Sequence, residues 1–197
     1  MERDSFGETL TDDTTSRSGM YKILARLWLT EIDDKLWQEL HTPSLSTSFT
    51  EAGGILFVEN AAQSIEELAI DYCQLFIGPK NHLPPYQSVW QNGQLQGEST
   101  VSMREYIEVV GYETNLLPSG TMLDHLGVQL DVMSCILERI PLCHSEETEV
   151  VQGVAESFFA RHLLWPGELF KNAMSCAHTE FYLSVIGMTR DFLLSER

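Results

Sequence analysis

Residues 72–90 read YCQLFIGPKNHLPPYQSVW, and the fold turns on how this stretch is taken. Tyr72, Leu75 and Phe76 fall at helical spacing. Gly78-Pro79 is expected to end that helix, Gly by adopting the left-handed C-terminal conformation and Pro by interrupting the hydrogen-bond ladder. Pro84-Pro85 then forces an extended path. Leu83, Tyr86, Val89 and Trp90 are therefore expected on or beside a loop rather than in a helix interior. Connecting segments normally face water, so a loop this apolar either folds back onto the protein body or lines a groove that receives something apolar.

Working outward, helical periodicity dominates. On the N-terminal side, residues 1–17 are rich in Ser, Thr and acids, and read as a mobile tail that buries too little surface to offset its ordering entropy. From Ser18, a candidate N-cap, Met20, Ile23, Leu24, Leu27 and Trp28 recur at three and four residues. Asp33 is expected to cap a short helix carrying Leu36, Trp37 and Leu40, ended by Pro43. Ile55-Leu56-Phe57-Val58 is the one strand-like run; with no alternating partner nearby it reads as a buried helical turn or loop. Ser64-Ile65-Glu66-Glu67 has capping-box spacing and opens the helix that delivers Tyr72 through Phe76.

On the C-terminal side, a polar Gln/Gly loop leads to Ser99 or Thr100 as the cap of a helix closed by Gly111. Pro118-Ser119-Gly120 reads as a linker. Thr121 to Asp124 reads as a second capping-box start, opening a long buried helix that runs to Pro141. Ser145 is expected to cap the next helix, Pro166 to sit in the first turn of the one after, and Thr179 to open the last. The expectation is an all-α fold, a single compact bundle of about eight to ten helices over 18–197, with a possible two-lobe division near 112–120.

Composition narrows the functional classes. The chain has 197 residues, 43% of them apolar, enough for one large core. With 12 basic against 29 acidic residues the formal charge is −17. Nucleic acid and anionic membrane surfaces are disfavoured partners and cationic peptides favoured ones, although such a charge also simply confers solubility. Cys73, Cys135, Cys143 and Cys176 show no C-x-x-C spacing, which argues against structural zinc or a redox pair and suits a reducing compartment. No basic-then-apolar N-terminal signal and no membrane-length apolar run occur, so the expected location is cytoplasmic, without stable membrane insertion.

Asp124-His125 is the pair most suggestive of catalysis, since a general base needs an orienting carboxylate. Adjacent helical residues point about 100° apart, however, and no G-x-S-x-G elbow accompanies them. The structural reading gives Asp124 to a helix N-terminal turn and His125 to a hydrogen bond with a neighbouring loop. The six histidines offer no H-x-x-x-H or H-E-x-x-H pair, so no metal site is expected. Neither G-x-G-x-x-G nor a P-loop occurs; no cofactor is expected, with a weak or unusual nucleotide site left open. Trp28, Trp37, Phe158, Phe159 and Trp165 read as core aromatics.

The pattern formed by Tyr72, Leu75, Phe76, Gly78, Pro79, Pro84, Pro85, Ser88, Val89 and Trp90 resembles the TorD/DmsD/NarJ family of redox enzyme maturation proteins. The resemblance continues through Met103–Gly111, Asp124-His125-Leu126-Gly127, Phe159-x-x-His162-Leu163, Trp165-Pro166 and Phe181-Tyr182. It departs at Met122, where the family usually carries Pro two residues before the Asp. The resemblance implies an all-helical, non-enzymatic chaperone. Its partners would be the twin-arginine leader and the catalytic subunit of a molybdoenzyme, which it holds back from export until cofactor is inserted. The implied signal-peptide site comprises Tyr72, Leu75, Phe76, Gly78, Pro79, Pro84, Pro85, Tyr86, Ser88, Trp90, Asp124 and His125. Leu75, Phe76, Pro84, Pro85, Tyr86 and Trp90 would form an apolar wall, and Asp124, helped by Asp71 or Glu98, would meet the arginines. A monomer is expected, with a domain-swapped dimer as the alternative. Two competing readings stand beside this one: a small hydrolase or nucleotide-dependent enzyme using Asp124 and His125, and a helical adaptor for molybdoenzyme assembly that reads no leader.

Overall fold

A computed structural model describes residues 4–57 and 60–197, excepting the side chains of residues 4–12 and Ser145. Ten α-helices follow in order among the described residues: α1 (Asp4–Leu29), α2 (Asp34–Leu40), α3 (Pro43–Glu51), α4 (Ala61–Tyr72), α5 (Gln87–Asn92), α6 (Glu98–Val110), α7 (Leu126–Arg139), α8 (Ser145–His162), α9 (Gly167–Cys176) and α10 (Glu180–Ser195). A π-helical turn, Cys73–Ile77, extends α4. The described residues hold no β-strand, only an isolated antiparallel bridge between Tyr86 and His125. The all-α class is thus the observed one. The chain divides into two compact units, Met1–Leu29 with Tyr86–Trp165, and Thr30–Pro85 with Pro166–Arg197. The Pro118-Ser119-Gly120 linker lies inside the first of these, so the division does not fall near 112–120.

The first unit is built around α7. Leu126, Val128, Leu130, Val132, Met133, Ile136 and Leu137 are all buried, together with polar Gln129 and Ser134, so this helix is enclosed on most of its surface. Along it packs α1, antiparallel: Ser18 Oγ lies 3.1 Å from Ser134 Oγ, and Ala25 and Leu29 meet Gly127. Gly127 permits this approach, because a Cβ there would sit 2.6 Å from Leu29 Cγ and 3.0 Å from the Ala25 carbonyl oxygen. Ser18 is therefore no N-cap, and the tail expected over residues 1–17 gives way to helix from Asp4. The cause is visible in the buried stripe Thr14, Ser18, Tyr21 and Ala25: two of its members are small hydroxyl residues that pack closely yet carry no apolar signal.

Helix starts in this unit also differ from expectation. Gly97, not Ser99 or Thr100, caps α6, while Gly111 ends it in the left-handed conformation at φ 63° as foreseen. The cap of α7 is His125, whose Nδ1 accepts the Gly127 N–H at 3.0 Å; Thr121–Asp124 precede the helix and do not form its first turn. At α8 the cap is His144, whose N–H donates to the Glu147 carboxylate at 3.2 Å.

In the second unit, Asp33 caps α2 as expected, accepting the Leu36 N–H at 2.7 Å. Pro43 stands in the first turn of α3 instead of merely ending α2. Residues 54–57 are irregular, with Ile55 43% exposed and its N–H donated to Ser184 Oγ at 2.9 Å. Of the buried helical turn or loop read there, the loop is the form observed over 55–57, but it is only partly buried, and Val58 lies outside the described residues. The start of α4 is at Ala61 after Asn60, which leaves Ser64 one turn inside the helix as a buried residue and not as a cap. Pro166 sits just outside α9 as its cap residue. Thr179 opens α10, its Oγ1 accepting the Tyr182 N–H. Phe49 stacks on Phe181 at 5.9 Å between ring centroids, within a core that also holds Leu40, Leu68 and Ile186.

Candidate functional site

The residues singled out from the sequence fall on both units. In the second unit, Tyr72, Leu75 and Phe76 are buried, and the Tyr72 ring meets Phe76 edge-on at 5.2 Å and Tyr182 at 5.9 Å. These three belong to that unit's core and do not form an open apolar wall. Leu75 and Phe76 lie within the π-helical turn Cys73–Ile77 and are both buried. Gly78 closes the turn by donating its N–H to the Cys73 carbonyl at 2.6 Å, with φ −49° and ψ 166°. It is thus not left-handed. Its lack of a side chain serves close packing, since a Cβ would approach the Cys73 oxygen to 3.1 Å. The loop returns onto the turn where the Leu83 N–H meets the Leu75 carbonyl at 2.6 Å. Pro79 is exposed, Pro84 half-buried and Pro85 buried.

Asp71, a proposed partner for arginine, is committed elsewhere. It is 2% exposed. Its carboxylate accepts the N–H groups of His178 and Thr179 and the Thr179 hydroxyl at 2.6–3.2 Å, tying down the start of α10.

In the first unit, two segments far apart in sequence come together. Tyr86 pairs with His125 through the isolated bridge, and their rings meet edge-on at 5.0 Å. The Gln87 N–H donates to the Asp124 carbonyl at 3.0 Å, and the Ser88 N–H to Asp124 Oδ2 at 2.9 Å. Ser99 Oγ donates to the same carboxylate oxygen at 3.1 Å. Val89 and Trp90, expected on or beside a loop, thus lie with Ser88 on the short helix α5, and Asp124 holds that helix from outside. Asp124 is fully buried, so its carboxylate faces α5 and α6 and is not presented to an incoming guanidinium. Glu98, which opens α6 beside Ser99, is the exposed carboxylate next to this constellation. Tyr86, Val89 and Trp90 are half-buried.

Asp124 and His125 do not form a relay. The Asp124 carboxylate bonds Ser88 and Ser99, while His125 spends Nδ1 on the Gly127 N–H. Burial pushes the His125 pKa down to about 4 against an opposing pull from Asp124. A neutral imidazole is also what accepting a backbone N–H requires. Burial, and next the Asp124 charge, raises the Tyr86 hydroxyl above its usual range.

Sequence reading missed a buried polar chain behind α5. Trp165 Nε1 donates to Gln129 Oε1 at 2.8 Å, and Gln129 Nε2 donates to Gln87 Oε1 at 2.6 Å. His162 Nδ1 lies 2.9 Å from the same Gln87 oxygen, and His162 Nε2 lies 3.0 Å from Ser102 Oγ. Gln87 Nε2 donates to the Arg161 carbonyl at 2.9 Å. Glutamines and a histidine on otherwise apolar helical faces were the available signal, and periodicity arguments pass over them. Among the described residues, no three His, Cys, Asp or Glu side chains are grouped to hold a metal ion.

Comparison with known proteins places these elements in context. A family model described as the nitrate reductase delta subunit matches residues 33–171. The chaperone protein YcdY of Escherichia coli is 28% identical over 64% of this chain. This chain spans 60% of that relative's length. The chaperone protein TorD of a Shewanella species, strain ANA-3, is 28% identical over 69% of this chain and 71% of its own. TorD of Shewanella pealeana is 25% identical over 91% of this chain and 87% of its own. A crystal structure from Archaeoglobus fulgidus, of a protein proposed to mature redox enzymes, superposes with a TM-score of 0.53 at 18% identity, covering 92% of this chain and 94% of its own. That last likeness concerns the fold.

Proposed function

The chain belongs to the nitrate reductase delta subunit family, the TorD/NarJ group, and from that premise we propose that it is a chaperone for the maturation of molybdenum-containing redox enzymes. It acts in the cytoplasm by binding the twin-arginine leader of an apo catalytic subunit and delaying export until cofactor is in place. It performs no bond-making of its own. The observation that carries this reading is the meeting of Tyr86–Trp90 with Asp124-His125, two segments that share no sequence neighbourhood yet are joined by a backbone bridge, a ring contact and a carboxylate. Such a leader joins a cationic end to an apolar segment. Half-buried Tyr86, Val89 and Trp90 supply an apolar contact, exposed Glu98 supplies a charge beside it, and the net charge of −17 favours approach. Buried Asp124 and His125 shape the site and do not themselves bond the arginines.

The hydrolase reading finds no comparable support, because both ring and carboxylate of the Asp124-His125 pair are engaged in fixing backbone.

Titration calorimetry with a synthetic twin-arginine leader tests the proposal. Binding is expected to weaken as salt rises through about 0.1 M, where the Debye length falls to about 10 Å, and to weaken further in Glu98→Gln. If no leader encoded beside this gene binds at low salt, the proposal fails. Equal capture of a leaderless client would favour the adaptor reading.

A further inference from the structure

Helix α5 spans six residues, Gln87–Asn92, far fewer than a helix needs to persist in water on its own. Its position is therefore set by the bonds it receives. Most of these converge on its first residue, Gln87, which is 2% exposed.

The direction of those bonds is fixed. The Trp165 indole N–H can only donate, so Gln129 must turn its oxygen toward it and its amide nitrogen toward Gln87. Gln87 Oε1 can only accept, so His162 carries its proton on Nδ1. The neutral ring then offers Nε2 as an acceptor, and Ser102 Oγ donates. Gln87 Nε2 in turn donates to the Arg161 carbonyl and to Gln91 Oε1. Flipping either amide, or moving the proton to Nε2, sets donor against donor or acceptor against acceptor inside the core, where an unmet polar group is costly. Helices α6, α7 and α8 thereby agree on one orientation for the residue standing between Tyr86, which meets His125, and Ser88, which meets Asp124.

We propose that His162 is a positioning residue for peptide recognition: by donating from Nδ1 to Gln87 it fixes the rotation of α5, and so the face of Tyr86, Val89 and Trp90 offered to a leader. This rests on the leader-binding reading above.

Two variants separate that bond from general folding. In His162→Asn the amide nitrogen stands near the place of Nδ1 and keeps the donor to Gln87. In His162→Gln the amide stands near the place of Nε2, reaches Ser102 and leaves Gln87 without that donor. Both remove the ring and are expected to melt at similarly lowered temperatures. The readouts are amide hydrogen exchange at Ser88, whose N–H rests on Asp124, and leader affinity by calorimetry. His162→Asn is expected to retain slow exchange and most affinity. His162→Gln should exchange about tenfold faster at Ser88 and bind about tenfold more weakly. Should His162→Gln not fold, Gln87→Met, which removes the acceptor and keeps His162, is expected to show the same two losses. Equal exchange at Ser88 in the Asn and Gln variants, or wild-type exchange in Gln87→Met, overturns the inference. Wild-type protein that binds no leader overturns the leader reading and the recognition role with it, while the exchange comparison separately reports whether His162 holds α5.

Discussion

Asp124 illustrates how a residue's type and its task can part. A carboxylate between a proline-rich loop and a helix looks suited to gripping arginine, yet here it is fully buried and accepts the Ser88 N–H and the Ser99 hydroxyl. Its other oxygen, Oδ1, is buried without a hydrogen-bond partner among the described residues. Asp124→Ala strands two buried donors and is expected to lower stability by about 1–3 kcal/mol, read from urea unfolding, with faster amide exchange across 86–92. Asp124→Asn keeps an acceptor oxygen for Ser88 and is expected to cost markedly less. Unchanged unfolding midpoints in Asp124→Ala would show that α5 is held by other means. Asp71 makes the same point in the second unit, where a carboxylate proposed for arginine instead bonds the N–H groups of His178 and Thr179.

At the scale of elements, most helices were legible in the sequence, and their limits were not. The long α7 announced itself because Leu126, Leu130, Met133 and Leu137 recur at helical spacing. The N-terminal half of α1 did not, because Thr14 and Ser18 bury small hydroxyl side chains where the eye seeks Leu. Capping-box spacing misled at Ser64 and Thr121: short motifs recur by chance, and the Ser64 pattern falls inside a helix while the Thr121 pattern precedes one. The two segments of the candidate site were legible as motifs, but that Tyr86 pairs with His125 is a tertiary fact that periodicity does not encode. The contact between α1 and α7 yields a further test. Gly127→Ala places a methyl 2.6 Å from Leu29 Cγ and 3.1 Å from the Leu29 backbone nitrogen, and is expected to destabilise the protein by about 1–3 kcal/mol through forced separation of the helices. Thermal unfolding followed by circular dichroism measures it; an unchanged midpoint would mean that α1 shifts freely.

For the molecule as a whole, two buried histidines set an acid limit. His125 and His162 both have pKa values lowered from 6.5 to about 4, chiefly by burial, to which the neighbouring Arg161 charge adds at His162. The unfolded chain therefore binds more protons than the folded one between those values, and folding stability falls as pH drops through this window. Well above pH 6.5 both groups are neutral in either state and the contribution is fully present. With both groups titrating, the slope approaches about 2.7 kcal/mol per pH unit. Urea midpoints measured from pH 7 down to 4 check the expectation, and His162→Asn should flatten the curve by about half. No helix among the described residues is long and apolar enough to cross a membrane.

The order in which the two units claim the chain has a temporal consequence during synthesis. Each is assembled from pieces that leave the ribosome far apart: α1 waits for α7, and the segment Thr30–Pro85 waits for Pro166–Arg197. The first body therefore cannot close until Tyr86–Trp165 has emerged, nor the second until Pro166–Arg197 follows, so neither folds from one continuous stretch as tandem domains do. Until those later segments appear, α1 and the helices of Thr30–Pro85 carry unmatched apolar faces, so a molecule proposed to shelter others is itself exposed to aggregation during synthesis.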